Sequence, residues 1–181
     1  MVFVRTRGPG SSSRRVTPNF LLWLTIFSLF VLMAALSGAK FAPGEWYDAI
    51  AKPDWTPPGW VFPVVWTTLY VFIAIAGTLV FTARTSGKLL PLTIWFAQIA
   101  VNGLWSAVFF GMRRIDAALL VVGLLVLLVA LFIRYAYRHS PVASILFVPY
   151  LAWVSTAFAL NLHVWALNGW PLGVYEFPGV Q

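Results

Sequence analysis

Apolar residues collect in five long runs along the chain, at 20–38, 61–82, 89–110, 117–133 and 142–165, with polar residues gathered in the breaks. Each run approaches the roughly 20 residues that an α-helix needs to cross the hydrocarbon of a bilayer. The fourth is the shortest, and Arg134 and Tyr135 extend it by snorkelling to the interface. The breaks carry helix-stop signals: Gly38 with Pro43, Thr85-Ser86-Gly87, Gly111 followed by Arg113 and Arg114, and His139-Ser140-Pro141. Only the first connection is long, so consecutive helices are expected to lie antiparallel and adjacent. The pattern predicts an all-α membrane protein, five transmembrane helices in a compact up-down bundle with a long loop between helices 1 and 2. Residues 1–17 read as a disordered basic tail, 18–168 as the membrane domain and 169–181 as a C-terminal tail.

Composition sharpens this. Hydrophobic residues make up 61% of the 181 positions and charged residues 9%, with a mean hydropathy of +0.86. A soluble domain carries about a quarter charged residues. The length leaves room for one such domain. The absence of Cys excludes disulfides, thiolate metal sites and cysteine nucleophiles. The basic tail ahead of the first run resembles a signal peptide, but that run is longer than an h-region of about 7 to 15 residues, so it is read as a helix.

Charge gives orientation. With five crossings, the N-tail shares a face with the second and fourth loops, and that face holds Arg5, Arg7, Arg14, Arg15, Arg84, Lys88, Arg134 and Arg138, eight of the twelve positive charges. Lys and Arg favour the cytoplasmic side, so the N-terminus is expected in the cytoplasm and the first loop on the opposite face. The net charge of +7 is thereby divided between two membrane faces, which argues against a nucleic-acid partner.

None of the runs contains an internal Asp, Glu, Lys or Arg. Charge-coupled pumps and carboxylate proton relays place such groups inside the membrane. The polar groups present are neutral. Gln98 and Asn102 share a face of the third span, with Trp95, Trp105 and Phe109 on the same stripe; Tyr150, Trp153, Ala157 and Asn161 form a second stripe on the fifth; Trp66 and Tyr70 form a shorter one on the second. Such groups glue membrane helices at about 0.6–2 kcal/mol each, or they line a pocket. Trp23, Trp165 and Trp170, near helix ends, read as interfacial anchors. Trp66, Trp105 and Trp153 lie well inside their spans, and converging stripes would enclose a cavity for a flat, mostly apolar ligand.

The unusual chemistry lies between residues 46 and 70, WYDAIAKPDWTPPGWVFPVVWTTLY, with four tryptophans, two tyrosines and four prolines. Pro57 and Pro58 impose an extended approach, Gly59 permits a turn, and Pro63 fits the first turn of a helix starting near Trp60. A loop stiffened in this way loses little entropy on closing over a ligand, so it reads as a lid. Pro149, inside the fifth span, removes the bond to the carbonyl of Ile145 and predicts a kink or an acceptor answered elsewhere.

This segment, QIAVNGLWSAVFFGMRR from Gln98 and FVPYLAWVSTAFALN from Phe147 resemble the translocator protein family, also called tryptophan-rich sensory or peripheral benzodiazepine receptor-like proteins. The resemblance implies a bacterial cell-membrane protein with five helices that binds porphyrins or haem, benzodiazepine-type and isoquinoline carboxamide ligands, and in animals cholesterol. No cofactor is obligatory; a porphyrin-type molecule, membrane lipid and a second copy in a homodimer are the implied partners. The ligand positions it implies are Tyr47, Trp66, Asn102, Trp105, Trp153 and Ala157, with Gln98 and Asn161 as polar supports. Trp66 and Trp153 match the pair associated with light- and oxygen-dependent porphyrin breakdown, where an indole donates an electron; the alternative is that they only stack on the macrocycle.

The chain departs from the animal pattern at Leu162-His163-Val164-Trp165-Ala166, which lacks the Tyr and Arg of the cholesterol motif, so cholesterol is not expected as the native ligand. His163 has the chemistry of an axial haem ligand, but its place near a helix end reads as interfacial. Gly103, Ala107 and Gly111 lie mostly away from the Gln98/Asn102 stripe and permit close helix approach, within the chain or across a dimer. Three functions follow from the resemblance: a tetrapyrrole-binding sensor or regulator, a porphyrin-degrading enzyme, and a tetrapyrrole or sterol/lipid transporter. The last is disfavoured by the absence of charged coupling residues and of an internal inverted repeat.

Overall fold

The structure is a computed structural model in which residues 19–169 are described. Apart from Gly169, the predicted tails, including the four tail arginines and Trp170, lie outside them. Within a bilayer every backbone polar group must be satisfied inside the protein, and an apolar segment does this by coiling into a helix. The chain forms α1 (Phe20–Lys40), a short α2 (Glu45–Ala49), α3 (Val61–Thr82), α4 (Leu89–Ser106), α5 (Ile115–Ala136) and α6 (Pro141–Leu167). A π-helical turn, Ala107–Gly111, prolongs α4. Five of these segments are long and apolar enough to span a membrane.

Local chemistry sets the ends. Asn19 Oδ1 caps α1 by accepting from the Leu21 and Leu22 amides at 3.1 and 3.4 Å. Ser140 caps α6, accepting from the Ala143 amide, with Pro141 at the first helical position, where a missing N–H costs nothing. Lys88 Nζ donates to the Phe81 and Ala83 carbonyls at 2.5 and 2.8 Å, satisfying acceptors freed at the end of α3. Trp60 is the N-cap of α3, where the Pro/Gly spacing places it. The fourth run lengthens at both ends to Ile115–Ala136, taking in Arg134 and Tyr135. Helix α6 runs on through Pro149.

The long helices close into a ring in the order α1, α3, α6, α5, α4. Three of the four consecutive pairs of spans pack side by side as expected. The pair α3/α4 differs: its backbones approach little, and long side chains bridge the gap, as where Trp95 Nε1 donates to the Ile73 carbonyl at 2.9 Å. That arrangement divides the bundle into a packed half and a hollow half. Toward the α3–α4 connection the interior is filled by Phe27, Ile73, Val80, Trp95, Val129 and Phe132. Gly77 is needed there, since a Cβ would lie 2.6 Å from Phe27 and 2.7 Å from Trp95. Gly103 serves close approach within the chain: its would-be Cβ is 3.5 Å from the Ala34 backbone, and the Ser37 hydroxyl donates to its carbonyl at 2.7 Å.

Candidate ligand-binding cavity

The other end of the bundle is covered by the α1–α3 connection. Trp46 and Ile50 are buried in a cluster with Val108, Phe109, Ile115 and Val164, which anchors the connection onto α4, α5 and α6. Lys52 Nζ donates to the carbonyls of Tyr47, Asp48 and Ile50 at 2.5, 3.2 and 3.0 Å and sits 4.7 Å from the Tyr47 ring centroid. One ammonium thus ties the segment into a knot. Asn168, just past α6, makes a two-point amide pair with the Ala51 backbone. The aromatics of this connection divide: Trp46 and Tyr47 turn inward, whereas Trp55 and Trp60 are 45% and 70% exposed.

Beneath it lies a cavity of about 450 Å³. It is walled by the second half of α1 (Ala35, Gly38), the start of α3 (Phe62, Trp66, Tyr70), the end of α4 and its π turn (Asn102, Trp105, Phe109, Phe110), the middle of α5 (Val122, Leu125) and the second half of α6 (Trp153, Ala157, Asn161), with Tyr47 from the lid. Seven of the eight residues expected at the site, Tyr47, Trp66, Asn102, Trp105, Trp153, Ala157 and Asn161, line it. Gln98 does not; it is fully buried one helical turn behind Asn102. Trp105 stacks on Phe109 with centroids 5.0 Å apart, Trp66 lies 5.3 Å from Tyr70, and Trp153 meets Phe62 edge-on at 5.7 Å. Burial and the neighbouring Asp48 raise the Tyr47 phenol above its ordinary pKa, so it stays neutral.

A directional chain of hydrogen bonds forms the polar corner. Tyr70 donates to Asn102 Oδ1 at 3.3 Å, Asn102 Nδ2 donates to the Tyr150 hydroxyl at 2.9 Å, and Tyr150 donates to Gln98 Oε1 at 3.0 Å. Gln98 Nε2, at the end of the chain, has no partner. Asn161 has a different role. It accepts from Trp105 Nε1 at 3.2 Å and donates to the Ile115 carbonyl at 2.9 Å, fixing the indole plane against the start of α5. Tyr70 and Tyr150 were legible as stripe members, yet the resemblance did not select them as site residues. Val122 and Leu125 had no signal, because residues 117–133 of α5 include no polar side chain to mark a face.

The walls suit the plane of a tetrapyrrole but not its iron. Among the described residues, no His, Cys, Met, Lys or Arg and no carboxylate lines the cavity. His163 lies outside the wall, exposed and packed edge-on against Trp55 at 5.9 Å.

Five membrane-length helices around an aromatic cavity define a multi-pass integral membrane protein built to hold a small ligand. The profile of the TspO/MBR family matches residues 20–166, and the chain belongs to that family. It is 41% identical to the protein CrtK of Rhodobacter capsulatus over 155 residues, covering 80% of this chain and 94% of that one. It is 43% identical to a tryptophan-rich sensory protein of Cereibacter sphaeroides over 134 residues, 74% of this chain and 84% of the other. Against the human translocator protein the identity is 36% over 151 residues, 80% and 89% of the two chains.

Proposed function

We propose that the chain is a membrane-embedded binding protein for porphyrin or haem-type tetrapyrroles and benzodiazepine-type ligands, acting as a sensor or regulator of tetrapyrrole metabolism. The observation that carries this reading is the cavity of about 450 Å³, with Trp66, Trp105 and Trp153 all lining one space. Large flat walls with a few neutral hydrogen-bonding groups favour a rigid aromatic ligand over a flexible lipid chain. On the charge distribution of the loops, the N-terminus is cytoplasmic and the lid faces away from the cytoplasm, with the chain working as a homodimer in a bacterial cell membrane. Titration with protoporphyrin IX in lipid nanodiscs, in darkness, tests the reading through tryptophan quenching. Saturation near one ligand per chain, weakened by a competing isoquinoline carboxamide, is the expected result. Uptake no greater than by empty nanodiscs would remove it.

A second reading, light-driven breakdown of the bound porphyrin, is favoured by one specific feature. Trp66 and Trp153 both line the cavity, and Trp66 lies within 6.1 Å of Tyr150 and 5.3 Å of Tyr70, ring to ring. An indole in contact with a bound macrocycle is placed to donate one electron to an excited state.

A further inference from the structure

A tetrapyrrole such as protoporphyrin IX carries two carboxylates, and its iron form carries a metal that seeks axial ligands. The cavity wall answers neither. Its polar side chains are neutral, and most are already committed. Thr67 donates to the Pro63 carbonyl at 2.7 Å, Asn161 is used by Trp105 and Ile115, and Asn102 is held between Tyr70 and Tyr150. What remains for a ligand is neutral throughout: the hydroxyls of Tyr47 and Ser106, a lone pair on the Tyr70 hydroxyl, the second N–H of Asn102 and the indole N–H groups of Trp66 and Trp153. The nearby ammonium of Lys52 has its three hydrogens on three lid carbonyls. Freeing it for a carboxylate would untie the lid. Entry of a carboxylate would strip its hydration with no cation in return, a strongly unfavourable exchange.

The exposed part of the wall is Ala39, Pro43, Pro63 and Thr67, so the cavity opens where α1 ends and α3 begins. Among the described residues, Lys40, next to Ala39 at that rim, is exposed, and a solvated ion pair there contributes little. We propose that the site is charge-free and metal-independent. It takes the uncharged aromatic face of a tetrapyrrole between its indoles, leaves the carboxylate-bearing edge in water at the α1/α3 rim, and gives no ligand to a metal. This rests on the tetrapyrrole reading above and adds what that reading leaves open, the protonation and metal preference of the ligand.

The test compares protoporphyrin IX, its dimethyl ester and ferric protoporphyrin IX, each titrated into the full chain in nanodiscs in darkness, with affinities corrected for uptake by empty nanodiscs. The expected result is that the ester binds with less than a tenfold loss relative to the diacid. Ferric porphyrin should bind no tighter than the metal-free form and keep the high-spin absorption spectrum it has in empty nanodiscs. A loss of tenfold or more on esterification, the size expected for a charge-assisted hydrogen bond, would overturn the charge-free site. A low-spin spectrum on binding would overturn metal independence. If the diacid and the ester both fail to exceed empty nanodiscs, the tetrapyrrole reading itself falls, an outcome distinct from either of these.

Discussion

Asn168 and Ala51, 117 positions apart, pair as two amides: the Asn168 side chain accepts from the Ala51 N–H at 2.9 Å and donates to its carbonyl at 2.9 Å. This joins the lid to the end of α6, the helix that supplies Trp153, Ala157 and Asn161 to the cavity. These two bonds add to the Trp46 and Ile50 anchor that holds the lid against the wall. Asn168→Ala removes both, together with the Asn168 Nδ2 bond to the Val164 carbonyl at 2.7 Å, at a partly solvated site, so the folded state should lose about 1–2 kcal/mol. The lid should open more often. Ligand dissociation is expected to quicken about threefold to tenfold, read by stopped-flow release into excess empty nanodiscs. An unchanged off-rate would show that the lid is held by the Trp46 and Ile50 anchor alone.

Tyr150 is the hub of the polar corner, with Asn102 donating to it and Gln98 accepting from it. Tyr150→Phe strands a buried donor and a buried acceptor, and should destabilise the protein by about 1–3 kcal/mol. Gln98→Leu removes an amide whose Nε2 is already unpartnered. Its loss should be smaller than that of Tyr150→Phe, although both residues are fully buried. Thermal unfolding in one detergent ranks the two; the reverse order would mean that Gln98 has a partner the structure lacks.

Gly77→Ala places a methyl group 2.6–2.7 Å from Phe27 and Trp95, both packed in the dry half of the bundle. Overpacking of this kind costs about 1–3 kcal/mol. Gly59→Ala, with nothing within 4 Å of the added atom, should leave the melting temperature nearly unchanged. A Gly77→Ala variant as stable as the parent would mean that the aromatic packing yields more readily than the close contacts imply.

The spans were legible because lipid forces a simple rule, and the five runs fall within a few residues of the five long helices. The stripes were legible because Gln98, Asn102 and Asn161 are the kinds of residue that cannot face hydrocarbon. Other features left no trace. The π turn at Ala107–Gly111 has an ordinary apolar sequence, and only the Met112 N–H reaching back to the Ala107 carbonyl shows it. The α5 wall could not be read from a helix with no polar face. Nor could the splitting of the lid aromatics, since Trp46 and Trp55 differ in tertiary neighbours rather than in local pattern.

Trp66 and Trp153 allow stacking to be separated from redox chemistry. Replacing both by Phe keeps flat aromatic surface where the indoles line the cavity, and neither indole N–H takes part in the hydrogen-bond chain of the polar corner. Stacking surface shrinks modestly, so porphyrin affinity should fall by less than about tenfold. Phenylalanine is far harder to oxidise than tryptophan. If the indoles supply the electron, illumination in air should bleach porphyrin bound to W66F/W153F much more slowly than porphyrin bound to the parent. If they only stack, the two rates should agree once the bound fraction is matched. Matched rates would leave the protein as a binder and sensor and would remove the enzymatic role of this pair; a slowed rate with affinity preserved would assign the chemistry to these two side chains.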